Sequence, residues 1–145
     1  EQIQHSGYAQ THVMYTRKPI DGSGALRIPA DYWGNSSGPI AVACAAMDRH
    51  SNIFMLGFDL HPLEKDVVNN IYKDTKGYEY IKRPVDPSYW IYQFEKLMVL
   101  DNCRWIVVNR EGWQMPTEWS QHKNVFSETY EGMAKYINKQ LTESK

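Results

Sequence analysis

The sequence predicts an α/β fold with a small parallel sheet, and three observations carry that prediction. Asn52 to Phe58 and Arg104 to Asn109 are apolar runs without polar alternation, as in strands covered on both faces. Helical patterns alternate with these strands along the chain, the order that builds parallel sheets with helices on their faces. Gly34-Asn35-Ser36-Ser37-Gly38-Pro39 opens one of those helices with capping residues and a proline placed in its first turn.

Taken in order, His12 to Thr16 reads as a short strand, stopped by Arg17-Lys18-Pro19 and the Gly22-Ser23-Gly24 turn. Arg27 to Trp33 is irregular around Pro29. Ser36 or Ser37 caps the helix that follows, and Ile40 to Met47 is small and apolar all round. Between His61 and Pro87 lies a long polar stretch, read as an ordered loop with a short helical turn at Val67 to Tyr72. A second helix covers Ser88 to Leu100, with Asp86 or Ser88 as cap and an apolar stripe through Trp90, Phe94, Leu97 and Met98. Arg104 to Asn109 is the next strand. A tryptophan-rich loop runs from Glu111 to Lys123, then an edge strand at Val125-Phe126. Ser127 is expected to cap a last helix with Tyr130, Met133, Ala134, Ile137 and Leu141 on one face. Three or four strands result, in one domain over 1–145 or in the C-terminal half of a longer fold; a sheet this small favours a homo-oligomer.

Composition narrows the function classes. Sixteen basic and seventeen acidic residues give a formal charge of −1, and no basic run exceeds two. Such a chain has no field to recruit nucleic acid. No apolar stretch approaches the ~20 residues that span a bilayer, and the polar N-terminus has no signal-peptide pattern. Cys44 and Cys103, the only cysteines, read as reduced core thiols of a cytosolic protein. The histidines show no ligand spacing, so neither metal nor cofactor is expected.

The candidate site residues gather where strands end and helices begin. Ser36, Ser37 and Gly38 form an anion seat if the helix amides behind them serve a ligand, or a plain cap if they do not. Asp59 closes a buried strand, where a carboxylate binds hydroxyls or catalytic water, or else caps the following turn. Asn69, Asn70, Tyr72, Thr75 and Tyr78 give the long loop uncharged hydrogen-bonding groups that read sugars or bases. Trp113 and Trp119, in a polar loop, are expected at a subunit or partner contact.

The segment from Asn35-Ser36-Ser37-Gly38-Pro39 through Ile53-Phe54-Met55-Leu56-Gly57-Phe58-Asp59 resembles the second half of the Rossmann-like bacterial sialyltransferases. Val68-Asn69-Asn70-Ile71-Tyr72-Lys73-Asp74-Thr75 also resembles a signature of uncharacterised proteins from short-tailed marine phages that share the Gly-Phe-Asp strand. The likeness covers roughly residues 10–110. It implies that Ser37 and Gly38 contact the nucleotide of an activated sugar, and that Tyr72 or Tyr78 supports the leaving phosphate. Two departures stand against catalysis. The family's histidine before the next helix is replaced by Arg83-Pro84-Val85-Asp86-Pro87-Ser88, and its glycine-rich N-terminal strand and turn is missing. A transferase step would leave Asp59 or His61 as general base, with Tyr72 at the leaving group. The expected function is therefore binding of a nucleotide or phosphorylated ligand on a glycosyltransferase-like scaffold. The alternative is a non-enzymatic module binding protein partners through the tryptophan loop and the last helix.

Overall fold

The computed structural model describes residues 2–32, 34–60, 74–76, 86–100 and 102–143. It is an α/β fold with small parallel sheets, divided into two compact units, Glu1–Cys44 and Ala45–Lys145.

In the first unit, short helices α1 (Gln2–His5) and α2 (Tyr8–Thr11) precede a two-stranded parallel ribbon, β1 (Tyr15–Thr16) and β2 (Leu26–Arg27). The strand expected from His12 is thus only its last two residues. Val13 is 77 % exposed, so no packed face extends the strand backwards. One buried side chain organises the connection. Gln4 donates from Nε2 to the Lys18 carbonyl (3.1 Å) and accepts the Ile20 amide at Oε1 (2.7 Å). Gly24 is required where the chain passes α2: its φ is +80°, and a Cβ there would lie 2.9 Å from the Ala9 carbonyl oxygen. A 3₁₀ turn at Ala30–Tyr32 leads into α3 (Ser37–Met47), within which the boundary between the units falls. Ile28, Ile40 and Cys44 form a small core with Tyr15 and Tyr32 against it.

The second unit holds a three-stranded parallel sheet in the order β3 (Asn52–Leu56), β4 (Arg104–Asn109), β5 (Val125–Thr129). Register pairs Ile53 with Trp105 and Trp105 with Val125, so alternate rows face opposite sides of the sheet. Central β4 is buried from Trp105 through Asn109, as its unbroken apolar run predicts. Helix α4 (Ser88–Met98) packs on the short α5 (Thr117–Ser120), where Phe94 and Trp119 meet edge to face at 5.4 Å. Pro87, not Asp86 or Ser88, holds the cap position of α4, and Asp86 just before it accepts the Ser88 amide (2.9 Å). Asn124 donates to the carbonyls of Met98, Leu100 and Cys103, pinning the turn before β4.

β5 continues into α6 (Tyr130–Glu143) without a loop. Ser127 is not the cap expected of it, because it is a strand residue paired with Val107. Thr129 takes that role, accepting the Gly132 amide at Oγ1 (3.0 Å). Tyr136 of α6 meets Phe54 (5.4 Å) and receives a hydrogen bond from Asn52. No residue of α6 is fully buried, and Tyr130, Ile137 and Leu141 stay exposed.

Candidate functional site

The candidate residues fall in two places, one in each unit. In the first unit, the Ser36 carbonyl accepts the Ile40 amide (3.1 Å), which makes Ser36 the residue at the mouth of α3. The amides of Ser37 and Gly38 lie in the first turn, where a helix offers no acceptor of its own, and Pro39 has none to offer. Ser37 is exposed, while Asn35, Ser36 and Gly38 are half-buried. Arg17 reaches this helix start, its Nη2 donating to the Asn35 carbonyl at 2.7 Å. Arg27 follows it, donating from Nη1 to the Arg17 carbonyl at 3.2 Å. The first turn of α3 carries no acidic residue. A guanidinium therefore adds to the positive end of the helix dipole, and no acidic residue of that turn offsets it. Arg17 had no motif around it in the sequence: only the turn that folds the β1–β2 connection back brings it to Asn35.

In the second unit, the site lies along the carboxyl ends of the parallel strands. Asp59 stands three residues beyond β3 and is half-buried. Its carboxylate makes no hydrogen bond among the described residues. Its backbone carbonyl accepts the Trp113 indole N–H at 2.8 Å. Asn109 ends β4 and is 2 % exposed. Its Oδ1 accepts the Arg110 amide (2.9 Å), which fixes the orientation of the side-chain amide and leaves Nδ2 buried without a partner among the described residues. Asn109 pairs in register with Thr129, the cap of α6. Asn109 escaped the sequence reading, although the signal that picked out Asp59, a polar residue closing an apolar strand, marks it equally.

Trp113 and Trp119 are not at a contact. Trp119 is fully buried and donates to the Ile91 carbonyl (3.0 Å), and Trp113 is 9 % exposed. Both indoles are buried and their N–H groups are bonded inside one unit, so neither tryptophan offers the partner contact expected of it. Of the long-loop set, Thr75 is described and exposed; His61, Asn69, Asn70, Tyr72 and Tyr78 lie outside the described residues, as does the turn expected at 67–72. Cys44 and Cys103 are both buried, and burial pushes the Cys103 thiol up. Among the described residues, no group of three or more His, Cys, Asp or Glu is placed to hold a metal, and no helix is long and apolar enough to cross a membrane.

Compared with known proteins, the chain matches no family model, no curated protein and no solved structure.

Proposed function

We propose that this chain binds a nucleotide or another phosphorylated ligand, with the phosphate seated at the start of α3, on a scaffold related to nucleotide-sugar transferases. The observation that carries this reading is the position of Arg17. Its guanidinium is bonded to the Asn35 carbonyl beside the first-turn amides of Ser37 and Gly38, where a bound anion would satisfy both positive groups. Charge-assisted contacts of this kind contribute about 1.5–3 kcal/mol each. The reading is one of binding, and no catalytic step is assigned to Asp59, His61 or Tyr72. A thermal-shift screen of the chain with cytidine and uridine nucleotides tests it. Selective stabilisation is expected; a folded chain stabilised by none of them would sink the proposal.

A second reading has its own observation. Tyr130, Ala134, Ile137 and Leu141 line one face of α6 at helical spacing and are all exposed. The charges of α6 pair within the helix, Glu131 with Lys135 and Glu143 with Lys139. A second copy of this chain would meet that stripe without net repulsion, giving a homo-oligomer. Ile137→Glu should then shift the chain to monomer in light scattering, and an unchanged mass would remove the stripe from consideration.

A further inference from the structure

We propose a second binding site at the carboxyl ends of β3 and β4, which takes an uncharged ring bearing hydroxyl and carbonyl groups and holds one acceptor oxygen on Asn109 Nδ2. It uses residues of the second unit alone and does not depend on the phosphate seat of the first.

Three observations carry it. Asn109 is the last residue of the central strand, and its Nδ2 is a buried donor with no partner among the described residues. Such groups are rare in folded proteins, and each calls for an acceptor. The position is also one where parallel sheets commonly take ligands, beyond the carboxyl ends of the strands. The charges around it set the class of ligand. Asp59, Glu111 and Glu128 stand at or near the strand ends against Arg110 alone among the described residues there. That excess of carboxylate disfavours an anion, while a carboxamide donor on one strand exit and a carboxylate acceptor on the next suit carbonyls and hydroxyls respectively.

Trp113 sets the access. The chain leaves β4 at Asn109, turns so that the Trp113 amide bonds the Arg110 carbonyl (3.2 Å), and is fastened to the Asp59 carbonyl through the indole. The turn therefore ties the exits of β4 and β3 together in the state in which Nδ2 is buried. Releasing the indole N–H from Asp59 frees the turn to lift. The free chain thus carries a closed latch, which lowers apparent affinity in proportion to the time it stays closed.

The test is a titration of the labelled full chain with uridine and, separately, with N-acetylglucosamine, following the Asn109 side-chain amide and the Trp113 indole N–H by nuclear magnetic resonance. Saturable shifts of both signals are expected with one probe. Uridine as that probe assigns a nucleoside, and N-acetylglucosamine a sugar. Asn109→Val should abolish the response, with Asn109→Thr as a second variant should valine fold poorly. Trp113→Phe, which keeps the ring and removes the N–H, should tighten binding several-fold. If neither probe moves either signal, or if both Asn109 variants bind as the parent does, the site does not exist. A phosphate seat lost with Arg17→Gln would leave these shifts unchanged, so the two proposals fail separately.

Discussion

Replacing Asn109 with valine should stabilise this protein, although the residue is 2 % exposed at the end of the central strand of its larger sheet. Most substitutions of buried residues destabilise, so the sign of the effect is itself the test. Two terms decide it. The orphaned Nδ2 costs about 1–3 kcal/mol as a buried, unsatisfied donor. Losing the bond from the Arg110 amide to Oδ1 costs about 1 kcal/mol. The difference favours the variant by about 0–2 kcal/mol, and valine suits a strand better than asparagine does. Asn109→Asp supplies the contrast, because it places a carboxylate with one unpaired oxygen in the same buried position and should destabilise. Urea unfolding followed by tryptophan fluorescence reads both variants. A loss of more than about 1 kcal/mol in Asn109→Val would refute the reasoning, since it would mean that the amide is fully satisfied and serves the fold.

Two further outcomes follow from packing and electrostatics. Trp119→Ala should cost about 3–5 kcal/mol in the same unfolding experiment, because it empties a fully buried site against Phe94; a cost below about 1 kcal/mol would mean the indole is not core. The Asp86 carboxyl is held below its ordinary value by the Ser88 amide and then by the Ser88 side chain. Its stabilising effect on α4 is therefore complete above the unfolded carboxylate range and is lost as pH falls through the lowered folded value. Carbon-detected titration should place the Asp86 midpoint below the usual range, and an ordinary midpoint would deny the bond to Ser88.

The second unit was more legible in the sequence than the first. β4 matches the expected Arg104 to Asn109 residue for residue, because a strand covered on both faces leaves an unbroken apolar run. β3 stops at Leu56, two residues short of the expected Phe58, where Gly57 turns to a positive φ of 78°. The ribbon of the first unit was nearly invisible, since two-residue strands are too short to show a period. Trp113 and Trp119 misled because their sequence neighbours are polar. Each indole is buried by residues distant in the chain, and each N–H finds a carbonyl there. The last helix lies close to where its apolar spacing puts it, and Tyr130, Ala134, Ile137 and Leu141 of its apolar face are exposed. Position also decides the sites: Ser37 and Gly38 could be read as a helix start, whereas Arg17 reaches Asn35 only through the tertiary fold.

The most direct test of the phosphate seat is calorimetric titration of the folded chain with uridine monophosphate, set beside the same titration of Arg17→Gln. Removing one charge-assisted contact to the phosphate should weaken binding by about tenfold or more, the equivalent of at least ~1.4 kcal/mol. Saturable binding by the parent chain, weakened to that extent in the variant, is the result predicted. Equal affinity in the two chains would contradict the proposal, and so would the absence of any saturable heat in the parent.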